Sequence, residues 1–212
     1  MATIPVVFSE EKNPRGIPKA PFIADVEKHV GGSDADAEPV LKGFQDALAK
    51  YRYMDNNLAQ RRQGLDEKIP DIKKTLAMVE YLKEQQDIRQ KKVIADDEDD
   101  ANDLDDDDEA SLSGPIKTTF ELSDTLFAEA ELEDTDTVYL WLGANVMLSY
   151  KIPAAIALLQ QKLDVAETSL QNTIEDLEFI REQITVMEVN IARVYNWDVK
   201  RRRELREKEG KS

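Results

Sequence analysis

Residues 137–150 read TVYLWLGANVMLSY, the most apolar run in the chain. Gly143-Ala144 lies at its centre, and Gly at the first central position suits a two-residue type II′ hairpin turn. That turn pairs Leu142 with Asn145, Trp141 with Val146, Leu140 with Met147 and Tyr139 with Leu148. One face then carries Val138, Leu140, Leu142 and Met147. The other carries Tyr139, Trp141, Val146, Leu148 and Tyr150. A half-exposed hairpin alternates apolar with polar residues, and a lone hairpin is marginal in water. With both faces apolar, cover is expected on both sides, from the chain itself or from another subunit.

The segment just upstream has strand periodicity as well. Residues 117–122 alternate at period two, with Thr118, Phe120 and Leu122 on one face. A short turn at 123–125 leads into residues 126–132, where Leu126, Ala128, Ala130 and Leu132 share a face and Phe127 points the other way. A second turn at 133–136 leads into the opening hairpin. The expectation is two consecutive hairpins made of four short strands.

Long helical patterns flank this β unit. From Asp36, a plausible cap with Pro39 in the first turn, apolar residues follow a 3-4 spacing: Leu41, Phe44, Leu48, Tyr51, Leu58, Leu65, Ile69, Ile72, Leu76 and Val79. This is the spacing of a coiled-coil seam, narrower than the stripe of a globular helix. Asp55 and Arg62 interrupt it, and Pro70 is expected to bend the helix without ending it. After Pro153, suited to a first helical turn, a second seam runs from Ile156 through Leu163, Leu170, Leu177, Ile184 and Ile191 to Val194 and on to Leu205. Each helix is about 55 residues, or roughly 80 Å.

The expected organisation is an N-terminal arm (1–35), helix 1 (36–94), a disordered acidic loop (95–115), two β-hairpins for oligomerisation (116–151), helix 2 (152–208) and a C-terminal tail (209–212). Two helices of matched length joined by a short connection fold antiparallel. The fold class is therefore α+β, mostly α: an antiparallel two-helix coiled-coil hairpin whose two β-hairpins at the turn end join an inter-subunit β-barrel. Two helices bury only one seam, so the monomer is expected to lack a compact core.

Composition narrows the function. Net charge is −16, with no cysteine and a single histidine, His29. The acidic balance argues against general nucleic-acid binding, and the missing cysteines exclude disulfides and thiolate chemistry. Residues 96–109 hold eleven acidic and no basic residues, too dense in like charge to pack. No signal peptide or membrane-length apolar run is read. His29 is expected on the surface of the arm. Gly31-Gly32 lacks the Lys and the preceding strand of a phosphate-binding loop. No catalytic set, metal site or cofactor is expected.

Helix, two β-hairpins, helix resembles an α-type prefoldin subunit. The resemblance rests on residues 15–18 (RGIP), 51–54 (YRYM) with 57–59 (NLA), 69–73 (IPDIK), 140–148 (LWLGANVML), 187–190 (MEVN) and 192–202 (ARVYNWDVKRR). The hairpin run and YNWD at 195–198 are its specific parts. One departure is KIPA at 151–154, where an acidic helix start is the pattern. The resemblance implies a heterohexamer of two α-type and four β-type subunits. It also implies ATP-independent capture of unfolded actin and tubulin at the coiled-coil tips and delivery to the cytosolic chaperonin. The von Hippel–Lindau protein is a further implied partner, and the cytoplasm is the expected compartment, with the nucleus left open.

A holding chaperone needs exposed apolar groups. The expected client site is Phe22, Ile23, Val26, Val40, Leu41, Phe44 and Leu48, with Val194, Tyr195, Trp197, Val199 and Leu205 from helix 2. The expected oligomer interface is Phe120, Leu122, Phe127, Val138, Tyr139, Leu140, Trp141, Leu142, Val146, Met147, Leu148 and Tyr150. The basic run Lys200, Arg201, Arg202 and Arg203 is a candidate chaperonin-docking tip. Two other readings compete: a structural coiled-coil scaffold, and an acidic histone-type chaperone acting through residues 96–109.

Overall fold

The structure is a computed structural model that describes residues 8–32, 35–96, 116–132 and 135–209. The expected acidic loop, apart from its first two residues, lies outside them. The element order is α1 (Val26–Val30), α2 (Glu38–Asp96), β1 (Ile116–Ser123), β2 (Leu126–Leu132), β3 (Thr137–Gly143), β4 (Val146–Lys151) and α3 (Ile152–Glu209). The chain divides into two units. One comprises Met1–Glu67 with Glu167–Ser212, the other Lys68–Ala166. Pro70 lies inside α2, which continues through it as one helix.

In the first unit α2 and α3 run antiparallel. Arg52 pairs with Glu188 at 2.9 Å, Asp55 with Arg181 at 3.7 Å, and Arg61 donates to Ser169 Oγ, so rising numbers on α2 meet falling numbers on α3. Asp36 Oδ1 accepts from the Glu38 N–H at the start of α2, satisfying one of the orphan donors of a first turn. The buried set here is wider than one seam. On α2, Ala37, Val40, Phe44, Ala47 and Tyr51 are buried, with Leu41 and Leu48 packed beside them. On α3, Asp176, Gln183 and Asn190 are buried alongside Thr173, Ile180, Met187 and Val194. The reason is a third layer: arm residues Ala20, Ile23 and Val26 are buried in the same cluster. The expectation of a narrow seam and no compact core is corrected by this arm.

The arm is more than irregular chain. Lys12 and Pro18 form an antiparallel bridge around a turn at Gly16, whose φ is +88°. Helix α1 starts where Asp25 caps it, the Asp25 side chain accepting from the Lys28 N–H. Gly31, at φ +104°, closes it.

In the second unit, each hairpin forms its own two-stranded sheet. In β1–β2, Phe120 faces Ala128 and Thr118 faces Ala130, the faces expected from the sequence. In β3–β4 the register differs by one residue from the expected one. Leu140 pairs with Leu148, Trp141 with Met147 and Tyr139 with Ser149. The two turn residues are Ala144 and Asn145, at φ +49° and +59°, which is a type I′ signature. Gly143, at φ +98°, flanks the turn, and the ladder shifts between Trp141 and Gly143. A one-residue slip moves every partner to the other face. Leu140 therefore shares its face with Leu148, Val138 and Tyr150, while Tyr139 and Trp141 share theirs with Met147.

The first of these faces is covered in part. Leu140 is buried with Val79, Ile152, Ala155 and Leu159, and Val138 and Tyr150 pack against them. Leu148, on the same face, stays 48% exposed, so the chain covers the part of that face made by Val138, Leu140 and Tyr150 and leaves Leu148 and the other face open. Helix α3 has no acidic residue in its first turn. Its Ile152 N–H instead donates to the Asp136 carbonyl at 3.0 Å, and Lys151 reaches the Asp136 carboxylate at 3.4 Å.

Candidate functional site

The arm is fastened to α3 by a row of side chains seven residues apart: Asp176, Gln183 and Asn190. Asp176 Oδ1 accepts from Arg15 Nε and from Asn13 Nδ2, both at 2.6 Å. Arg15 also donates to Asn172 and Glu175. The hydrogen bonds to Asp176 first and Glu175 second hold the Arg15 guanidinium above its ordinary pKa. Arg15 in turn holds the Glu175 carboxyl below its usual range. Asn13 Oδ1 accepts from the Arg15 and Ile17 N–H groups, which fixes the turn that presents Arg15.

Further along, contacts go to the arm's main chain. Gln183 Oε1 accepts from the Ala20 N–H at 3.0 Å. Asn190, fully buried, accepts from the Ile23 N–H at 3.1 Å and donates to the Pro21 carbonyl at 2.7 Å. Arg193 donates to the Ala24 carbonyl. From α2, the Tyr51 hydroxyl donates to the Pro18 carbonyl at 2.7 Å, and burial pushes its pKa up to about 12. Phe8 meets the Tyr51 ring edge-on. A buried polar group is tolerated when it is hydrogen-bonded, and these groups are.

This arrangement re-sorts the expected client residues. Ile23, Val26, Val40, Phe44 and Val194 are buried core, and Leu41, Leu48 and Trp197 are half-buried against it. The arm covers what two bare helices would have exposed. Val199 is half-buried. Phe22 and Tyr195 are each 59% exposed and Leu205 is 45% exposed. Phe22 carries the Arg193 guanidinium 5.0 Å above its ring. An open groove of about 680 Å³ runs beside it, walled by Glu10, Glu11, Glu182 and Val186.

His29 is also placed differently from expectation. It is half-buried and stacked on Phe44, with ring centroids 5.7 Å apart. Burial lowers its pKa, and its Nε2 has no hydrogen-bond partner.

The basic tip is partly committed to structure. Asp198, buried, takes Arg201 at 2.9 Å and Arg202 at 2.7 Å. Arg201 also donates to the Ala35 carbonyl and lies over the Trp197 ring. It therefore holds the chain entering α2 and is not a free surface charge. Lys200 pairs loosely with Glu204, and Arg203 is exposed.

On the hairpins, Phe120, Leu122, Phe127, Tyr139 and Trp141 are all more than half exposed, and Val146, Met147 and Leu148 nearly so. Leu142 is half-buried. Leu140 leaves the expected interface set, since its cluster with Val79 and Ile152 makes it core of its own unit. A cleft of about 190 Å³ lies among Leu82, Ile116, Leu132, Val138 and Ile152 at the root of the two hairpins. Among the described residues, no three His, Cys, Asp or Glu side chains gather as a metal site would require, and no helix is long and apolar enough to cross a membrane.

Sequence reasoning missed the row at Asp176, Gln183 and Asn190. The signal was present as polar residues at a heptad period directly beside the apolar seam. Read alone, each passes for a solvated helix position.

Comparison with known proteins agrees with this architecture. A family model described as prefoldin subunit matches residues 99–197. Prefoldin subunit 3 of Elsinoe fawcettii is 49% identical over 198 residues, covering 93% of this chain and 88% of that protein. The human prefoldin subunit 3 is 42% identical over 190 residues, covering 88% of this chain and 83% of its own length. The Saccharomyces cerevisiae protein of the same name is 40% identical over 204 residues, covering 94% and 92%. With likeness at that level along nearly the whole of both sequences, and with the helix, two-hairpin, helix order in place, the chain belongs to the prefoldin family, as a co-chaperone subunit whose partners are other prefoldin subunits.

Proposed function

We propose that the chain is one of two α-type subunits in a hexamer with four β-type subunits. The complex captures unfolded, newly made proteins such as actin and tubulin without ATP and passes them to the cytosolic chaperonin. The observation that carries the reading is that each unit exposes an aromatic surface of its own. Phe120, Phe127, Tyr139 and Trp141 lie open on the hairpins, and Phe22 and Tyr195 lie open on the arm and α3. Exposed apolar area of this kind marks interaction sites. The hairpin face is the assembly joint, and the arm-side face is the client surface. Lys200 and Arg203 are the basic groups left for docking an acidic chaperonin surface. The cytoplasm is the compartment, and the von Hippel–Lindau protein is a further partner of this reading.

The test uses the chain co-expressed with its partner subunits. The variant Phe22→Ser/Tyr195→Ser/Leu205→Ser is expected to keep the hexamer but to lose suppression of aggregation when denatured actin is diluted into buffer. Suppression equal to wild type would refute the placement of the client surface. Absence of suppression by the wild-type complex would favour the scaffold reading.

A further inference from the structure

We propose that the α3 groove holding the arm is a binding groove for extended, unfolded polypeptide, and that the arm is its resting occupant. The inference rests on the proposed client function and adds a second client surface, beneath the arm, to the exposed one at Phe22, Tyr195 and Leu205.

The polar contacts along residues 20–24 are made to the main chain. Gln183 takes the Ala20 N–H, Asn190 takes the Ile23 N–H and the Pro21 carbonyl, and Arg193 takes the Ala24 carbonyl. Asn190 thereby spans Phe22 as a neighbouring β-strand would. Any extended segment offers the same donors and acceptors, whatever its sequence, and main-chain pairing of this sort supplies affinity while alternate side chains supply selectivity. Within the non-helical stretch Ala20 and Ile23 enter the core while Phe22 points outward, and Val26 follows at the start of α1. The requirement on an occupant is therefore a small and an aliphatic residue three apart, which unfolded chains contain often.

The arm covers Phe44 through His29 and Tyr51 through Phe8 and Pro18, and both are fully buried in one cluster with Met187 and Val194. Departure of the arm uncovers Phe44 and Tyr51 as an apolar floor. The arm is tied to α2 by the few residues between α1 and Glu38. A competitor on so short a tether acts at an effective concentration in the millimolar range. It therefore shields the floor while idle and shortens the stay of whatever replaces it. A chaperone that must hand its client on needs that weak hold.

The probe is a fluorescein-labelled peptide of residues 17–30, added to the assembled complex. The wild-type groove, filled by its own arm, is expected to bind it at least tenfold more weakly than a complex carrying Ile23→Ser/Val26→Ser, in which the arm is loosened and the α3 groove is intact. Arg15→Ala, which frees the root of the arm without touching the apolar floor, is expected to act in the same direction and guards against misfolding of the first variant. Adding Asn190→Leu to either is expected to cost the peptide tenfold. Reduced, carboxymethylated α-lactalbumin, which stays unfolded, is expected to displace the peptide. Equal peptide binding by wild type and both arm variants overturns the proposal. So does unfolded protein that binds the complex yet leaves the peptide in place. Unfolded protein that binds nowhere on the complex refutes the client function itself and the groove with it.

Discussion

Replacing Trp141 with Ser separates what the hairpin does for its own chain from what it does for assembly. Trp141 is 63% exposed and pairs with Met147 across the sheet. A Trp side chain buries up to about 250 Å², so some 150 Å² is left for a neighbouring subunit. At about 25 cal/mol per Å² that surface is worth roughly 4 kcal/mol of association, or about three decades in the binding constant. The part already covered in the chain, about 90 Å², is worth roughly 2 kcal/mol on the same scale. Sedimentation of the co-expressed complex across a dilution series reads the first quantity. Thermal melting of the isolated chain, followed by circular dichroism, reads the second. The expected result is a complex that dissociates at far higher concentration than wild type while the isolated chain melts only about 4–8 °C earlier. Leu140→Ser is the control with the opposite signature, because Leu140 is 8% exposed and packed on Val79 and Ile152. Losing it costs the chain about 2–5 kcal/mol. A Trp141→Ser complex that dilutes like wild type while its isolated chain unfolds early would refute the division between the two faces.

Asn190→Leu leaves the Ile23 N–H and the Pro21 carbonyl without their partner, at a cost of about 2–4 kcal/mol, and amide hydrogen exchange in residues 20–24 is expected to speed up accordingly. Arg15→Ala removes the contacts to Asp176, Asn172 and Glu175, and limited trypsin digestion is expected to cut the arm at Lys19 sooner than in wild type. Tyr51 has a folded pKa raised to about 12 from 10.0; the stability it contributes is intact below pH 10 and is lost as pH rises towards 12. Absorbance at 295 nm is expected to show one tyrosine ionising late, and in Tyr51→Phe that late step disappears. His29 has a folded pKa depressed by burial against Phe44, so stability is constant above pH 6.5 and falls as pH drops through the folded value. Arm proteolysis is expected to accelerate on acidification in wild type and not in His29→Gln.

The helices and hairpins were legible because periodicity reports which face is buried, and both periods run long enough here to be unambiguous. The register of β3–β4 was not. Gly143 marks the turn in the sequence because Gly tolerates positive φ most readily, yet the turn proper falls on Ala144-Asn145 and Gly143 takes the positive φ beside it. Asn145 is the residue that marks such a turn, and an Ala ahead of it hides the signal. The width of the stripe in the first unit was hidden for a different reason. Val40 and Ala47 sit one position before Leu41 and Leu48, and Gln183 and Asn190 one before Ile184 and Ile191. A search for a two-helix seam finds the second member of each pair and passes over the first. The arm, remote in sequence from α3, supplies the partners of Gln183 and Asn190 and joins the cluster that buries Val40 and Ala47. The same cause moved Ile23, Val26, Phe44 and Val194 from expected client surface into core.

Placing a photo-crosslinking residue, p-benzoylphenylalanine, at Tyr139 and separately at Tyr195 tests the central claim most directly. Both tyrosines are well exposed, at 69% and 59%, and the replacement keeps an aromatic ring at each. With the assembled complex and denatured actin present, Tyr139→p-benzoylphenylalanine is expected to crosslink to sibling subunits and Tyr195→p-benzoylphenylalanine to actin. Actin captured at position 139, with only sibling subunits captured at position 195, would contradict the account.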